Sequence, residues 1–210
     1  LALLKWFPYR RFFQTHRLLP VVYLALVFHA VVLMRDSSWS QPIGVFMALC
    51  MGAGTVAAVM VLSGRVGRSR QAVAVVDRIS LHAELEVLEI AVRLKSRWAG
   101  HQAGQFAFVR FHDREGAHPF TITSPWTGDG RLEFLVKGLG DYTRALPGLL
   151  KEGDLLRVEG PYGRFNFQGQ KQRQIWVGGG IGITPFIARL QHLALHPDGK
   201  TIDLFHTTAE

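Results

Sequence analysis

His118-Pro119-Phe120-Thr121-Ile122-Thr123-Ser124 is the stretch around which the chain reads. Val109 and Phe111 lead into it as apolar strand positions, and a polar loop, Asp113 to Ala117, separates the two. Pro119 fixes φ and removes a donor, which suits a stiff, extended edge strand. Thr121 and Thr123 alternate with Ile122, so their hydroxyls share one face of a strand. Phe120 offers a ring that can lie against a flat heterocycle, and the threonines can bond its polar edge. On these seven residues alone, an ordinary proline-edged strand fits equally well.

Composition bounds what surrounds that stretch. Hydrophobic residues make up 48% of the 210, charged residues only 19%, and mean hydropathy is +0.14. Those values point to a membrane portion. The net charge of +8 does not by itself imply nucleic acid. Lys5, Arg10, Arg11 and Arg17 precede the first acidic residue, and Arg65, Arg68 and Arg70 form a second cluster. Both clusters flank apolar runs, as basic residues do on the cytoplasmic side of a membrane. The single cysteine, Cys50, excludes a disulfide framework or a cysteine metal site within the chain. The chain starts at Leu1 and stops at Glu210 soon after a strand-like run, and is expected to be a piece of a longer protein.

Leu18 to Met34 is free of Asp, Glu, Lys and Arg, and is roughly 25 Å long as a helix, at the short end for a span. Ser37 to Gly64 is also uncharged, and its apolar part runs from Pro42 to Leu62, so a second span is expected. The short polar link, Arg35 to Gln41, has no net charge. The basic flanks therefore place both outer ends in the cytoplasm and the link outside. Gly52, Ala53, Gly54, Ala57 and Ala58 are expected to give the second span a small-residue packing face. His16 and His29 fall at the start and middle of the first span, where an ionisable residue is costly and suggests function. Thirteen residues separate them by roughly 20 Å, too far for one iron but suitable for two stacked haems. Each also reads as an ordinary boundary or hydrogen-bonded histidine.

From Ala72 the pattern changes to short strands punctuated by Gly and Pro, which predicts a small antiparallel barrel. Leu85 to Leu94, Gly104 to Phe111, Leu132 to Lys137 and Gly153 to Val158 are the strand candidates. Ile175-Trp176-Val177 then leads into Gly178-Gly179-Gly180-Ile181-Gly182-Ile183-Thr184-Pro185, followed by a helical run, Phe186 to Leu195. Strand, glycine loop and helix form a phosphate-binding arrangement, with Pro185 in the first turn and Thr184 as its cap. Thr201 to Phe205 reads as the next parallel strand. The histidines at 82, 101, 112, 192, 196 and 206 show no ligand spacing and are expected at the surface.

Several of these stretches together resemble the ferric reductase and NADPH oxidase superfamily. The 118–124 stretch is similar to that family's flavin motif, a variant of the R-x-Y-[ST] motif of ferredoxin-NADP reductase domains. By this resemblance His118 stands for the Arg, Phe120 for the Tyr and Thr121 for the Ser/Thr. Ala103 to Phe106 resembles the P-G-Q-[FY] turn with Ala for Pro. Val136 to Thr143 resembles the segment at the flavin diphosphate, and Val158 to Gly163 the V-x-G-P-[YF]-G strand end. Gly178 to Phe186 resembles the NAD(P)H site, and Phe12 to His29 the fifth transmembrane helix with its two haem-ligating histidines.

The resemblance implies FAD on His118, Pro119, Phe120, Thr121, Thr123, Ser124, Lys137, Gly140, Tyr142 and Thr143. It implies NAD(P)H on Gly178, Gly179, Gly180, Ile181, Gly182, Thr184 and Pro185, and haem b iron on His16 and His29. The expected architecture is a multi-domain membrane protein. Residues 1–64 would be the end of a haem-binding transmembrane domain with two α-helices, 65–170 an antiparallel β-barrel flavin domain, and 171–210 the start of an α/β nucleotide-binding domain. The implied function is electron transfer from NAD(P)H through FAD and two haems to ferric iron or oxygen on the far side of a lipid bilayer, with the flavin and nucleotide domains cytoplasmic. A membrane-anchored flavin reductase without haem, serving a protein or quinone-like acceptor, is the alternative. A non-enzymatic membrane scaffold or sensor is a third reading.

Overall fold

The structure, a computed structural model, describes residues 15–16, 18–112, 116–169 and 171–208. It separates into two compact units, Leu1–Ser69 and Arg70–Glu210.

In the first unit, α1 (Leu19–Leu33) and α3 (Pro42–Leu62) are apolar helices joined by a single short turn of helix, α2 (Asp36–Trp39). Pro20 and Pro42 both sit in first turns, where a missing N–H costs nothing. Among the described residues, α3 is the one helix long and apolar enough to cross a membrane; α1 is a shorter apolar helix. The Tyr23 hydroxyl of α1 reaches over Gly54 and donates to the Met51 carbonyl at 3.3 Å. A Cβ at Gly54 would collide with that hydroxyl. Gly44 likewise lies against the Ser38 carbonyl, where a side chain would not fit. The expected small-residue face is thus only partly the packing face. Gly54 and Ala58 face inward, whereas Gly52, Ala53 and Ala57 are exposed on the other side of α3.

The second unit opens with β1 (Gln71–His82), a 12-residue strand that the turn-and-strand pattern of the sequence does not delimit. It is followed by β2 (Val87–Leu94), β3 (Phe106–Arg110), β4 (His118–Thr121), β5 (Arg131–Lys137) and β6 (Leu155–Tyr162). These form one antiparallel sheet in the order β4-β3-β6-β1-β2-β5. Inward-facing positions alternate along each strand. Ala74, Ile90, Ala107, Val109, Leu132, Phe134 and Val158 are fully buried in one core. A bulge at Asp77 bends β1, and Arg93 holds its carboxylate at 3.1 Å. Helix α4 (Asp141–Leu149) follows β5 and buries Leu146 against the same core.

The two end strands of that order meet. Ile122 pairs with Phe134 in an antiparallel bridge, the Thr123 N–H donates to the Glu133 carbonyl at 2.8 Å, and the Glu133 N–H donates to the Ser124 hydroxyl at 3.1 Å. Beyond the sheet, β7 (Arg173–Gly179) and β8 (Thr201–Thr207) run parallel, joined through a 3₁₀ turn (Gly180–Ile183) and α5 (Thr184–Leu195). Thr184 is the first residue of α5 rather than its cap. The 3₁₀ turn leads straight into the helix, Ile183 holds the cap position, and no side chain caps it.

Phe134 is fully buried and forms the closing bridge. Phe134→Ala is expected to cost about 3–5 kcal/mol, read as a lower midpoint in denaturant unfolding of the full chain. A loss under about 1 kcal/mol would mean that the bridge does not hold the sheet.

Candidate flavin and nucleotide sites

Strand β4 lies between two neighbours that hold it in place. On one side β3 pairs Phe106 with Thr121 and Val109 with His118. On the other, the residues just past β4 bond to β5. Alternation along β4 sends Ile122 fully into the core and leaves Pro119 exposed. Phe120 packs on the core, 5.8 Å from the Phe111 ring. The ring beside His118 is Tyr142, whose plane stacks on the imidazole at 4.4 Å and 19°.

Thr121 is the accessible hydroxyl of the stretch, because Thr123 and Ser124 are only 3% and 7% exposed. Ser124 serves the closure of the sheet: its hydroxyl accepts from Glu133 and its carbonyl from His101. Lys137 ends β5, and Gly138 and Gly140 turn the chain into α4. Thr143 Oγ1 accepts from the Gly140 N–H at 3.0 Å, and the Arg144 guanidinium donates to the Gly138 carbonyl at 3.0 Å. A Cβ at Gly140 would meet nothing, so the start of α4 is open to a ligand. The donors of that open turn suit a diphosphate, and the Thr121 hydroxyl and the His118–Tyr142 pair suit a flat ring.

The glycine turn after β7 lies against β5. Gly180 has φ +50°, and neither Gly180 nor Gly182 has an atom within 4 Å of a Cβ position. Gly178 is different: a Cβ there would press on Ile183 at 3.2 Å, so this glycine serves packing. The Gly180 carbonyl accepts from His206 Nε2 at 2.9 Å, which pins the turn to the end of β8. Open glycines at a strand-to-helix turn are the geometry that lets a pyrophosphate approach the backbone.

His16 lies in helical backbone ahead of α1, and His29 lies within α1. His29 is exposed, whereas Tyr23, Leu24, Val27 and Ala30 of the same helix are half-buried. His29 therefore presents an imidazole, a good haem iron ligand, away from α3.

His101 is buried, against the surface position expected for it. It is 8% exposed, and its Nε2 donates to the Ser124 carbonyl at 2.9 Å. That bond leaves Nδ1 as an acceptor, buried and without a partner among the described residues. Burial pushes the imidazole below its ordinary pKa, and the bond to Ser124 offsets this only in part.

Residues 72–166 match the model of an FAD-binding domain. Respiratory burst oxidase homolog protein E of Arabidopsis thaliana is 30% identical over 215 residues, covering 88% of this chain and 22% of that protein. A superoxide-generating NADPH oxidase heavy chain of Dictyostelium discoideum is 26% identical over 218 residues, covering 90% and 29%. The chain therefore spans less than a third of either relative. Among solved structures, the ferredoxin reductase in carbazole 1,9a-dioxygenase aligns with a TM-score of 0.57 at 24% identity, covering 66% of this chain and 42% of that one. Phthalate dioxygenase reductase aligns at 0.59 and 18%, covering 68% and 45%. The second unit thus has a ferredoxin reductase-like fold. Residues 72–166 thus match an FAD-binding domain family, and the chain is similar over most of its length to these two NADPH oxidase relatives.

The unfolded chain holds a proton on His101 near the ordinary value of 6.5, and the folded chain binds it less readily. The folded state therefore keeps full stability above that value and loses it as pH falls below it. His101→Gln is expected to flatten the decline of the thermal midpoint between about pH 7 and pH 5. An unchanged slope would show that His101 is not buried in its neutral form.

Proposed function

We propose that this chain belongs to a membrane oxidoreductase that passes electrons from NAD(P)H through FAD to an acceptor across the membrane. The observation that carries the reading is that one compact unit holds both the 118–124 strand and the open glycine turn against β5. FAD supplies the chemistry that side chains lack: it accepts a two-electron hydride and releases electrons singly. The chain's own residues bind and orient. Thr121 offers its hydroxyl and backbone to the ring edge, with Pro119, Phe120 and the His118–Tyr142 pair shaping the place of the ring. Thr123 and Ser124 hold the strand from within. Lys137, Gly140 and Thr143 form the turn at the diphosphate. Gly179, Gly180, Ile181 and Gly182 bring backbone to the nucleotide, Gly178 makes room for Ile183, and Thr184 and Pro185 start the helix behind them.

The same reading takes the six-stranded sheet as a closed barrel through the Ile122–Phe134 pairing, with domains at 1–64, 65–170 and 171–210. It takes α1 and α3 as two spans in a lipid bilayer, with the flavin and nucleotide parts cytoplasmic. The apolar surface of these helices supports this: Phe28, Leu26 and Leu49 are each more than 60% exposed, which suits lipid rather than water. His16 and His29 would each ligate a separate haem b, which carries single electrons across the membrane. Oxygen is the acceptor named by the superoxide-generating relative, and ferric iron is the alternative within the superfamily.

Substitutions in the full-length protein test these assignments. Thr121→Ala is expected to weaken FAD retention or slow flavin reduction by about tenfold, the scale of one lost hydrogen bond. Normal retention and kinetics in both Thr121→Ala and His118→Ala would remove the strand from the flavin site. Gly180→Val or Gly182→Val should raise the KM for NAD(P)H while bound FAD stays near wild type, and an unchanged KM would leave the loop a plain turn. His29→Leu should halve the haem-to-protein ratio. A purified protein that carries FAD but shows no haem Soret band would instead support the haem-free flavin reductase.

A further inference from the structure

Strands β1, β6 and β3 carry a cleft of about 400 Å³ that lies apart from the flavin and nucleotide residues. Phe111 and Leu156 border it but turn their side chains into the core, each being 2% exposed. Val73, 42% exposed, stands at its rim. Arg110, Arg157 and His112 supply the polar wall.

Arg110 and Arg157 are direct cross-strand partners on β3 and β6. Like charges at such positions destabilise a sheet. Elsewhere in the same sheet the exposed arginines are matched: Arg78 with Glu89 at 2.8 Å, Arg93 with Asp77 at 3.1 Å. Among the described residues, neither Arg110 nor Arg157 has a carboxylate or a hydrogen-bond partner. Beside them, His112 Nε2 is buried and has no hydrogen-bond partner among those residues. The fold thus sets two arginines side by side on the outer face of the sheet, neither of them in an ion pair among the described residues. Planar forks paired in this way match the oxygens of a doubly charged oxyanion.

We propose that this cleft binds a phosphate group, with Arg110 and Arg157 on its oxygens. The anion cancels the cross-strand repulsion, so its binding also stabilises β3 against β6. Phosphate monoesters in solution and phosphorylated lipid headgroups share this chemistry.

The test is isothermal titration of the FAD-loaded, full-length protein in detergent, at constant ionic strength. The titrants are inorganic phosphate, soluble inositol 1,4-bisphosphate and dioctanoyl phosphatidylinositol 4-phosphate. All three are expected to bind the wild type, and Arg110→Gln/Arg157→Gln should weaken each by about tenfold or more, with bound FAD unchanged. Arg110→Lys/Arg157→Lys, which keeps the charge but removes the forks, should fall between the two and guards against a folding defect in the first variant. A short-chain lipid that binds about tenfold tighter than the soluble bisphosphate assigns the site to a lipid headgroup, and equal affinities assign it to a soluble ester. A wild type that binds no phosphate in any form overturns the proposal, as does a Gln double variant that binds like the wild type.

Discussion

The strand at 118–124 is held on both edges. Thr121 and His118 pair with β3, while Ile122, Thr123 and Ser124 bond to Phe134 and Glu133 of β5. Closing a sheet on itself removes its exposed edges and fixes the register of every strand between. Here the closing contact falls inside the stretch whose outer residues would meet the cofactor. Thr121 is accessible because Ile122 is pinned in the core and Thr123 and Ser124 are tied to β5. His101 braces the same point from below through the Ser124 carbonyl. Loss of the Ile122–Phe134 pairing would thus misplace Thr121 as well as weaken the core.

A second set of contacts ties the glycine turn to that sheet. Phe165 and Phe167 follow β6 and pack with Trp176 of β7 and Phe186 of α5, with ring centroids 4.8 to 5.9 Å apart. Such aromatic pairs add about 0.5–1.5 kcal/mol beyond their burial. The turn before β3 grips this segment from the other side. Gly104, at φ +95°, lies directly against the Phe165 backbone, and Gln105 donates to the Gly163 carbonyl at 3.2 Å. A residue with a side chain at 104 would meet both a strained φ and that carbonyl. The glycine in the Ala103–Phe106 turn therefore has a packing reason, independent of any family resemblance.

Features written in local chemistry were legible in the sequence. The uncharged run from Pro42 to Leu62 is the helix α3, residue for residue. Gly178 to Pro185 does form a strand-to-helix turn, and β7 and β8 are parallel as expected. Features set by distant partners were not legible. Ser124 reads as part of a flavin motif, yet its hydroxyl is taken by Glu133, whose place opposite it depends on closure. His101 has no sequence signal for burial, because the carbonyl that holds it lies 23 residues away. The small residues of α3 were visible, but which of them pack depends on where Tyr23 of α1 reaches. The unmatched Arg110–Arg157 pair appears only once β3 and β6 are placed side by side.

The most direct test of the central claim is anaerobic mixing of the FAD-loaded, full-length protein with NAD(P)H, followed through the flavin absorbance. The account predicts rapid bleaching of the bound flavin by one equivalent of NAD(P)H, abolished by Gly182→Val at the same FAD content. Bound flavin that stays oxidised under excess NADH and NADPH, or that bleaches equally fast in the Gly182→Val variant, would contradict it.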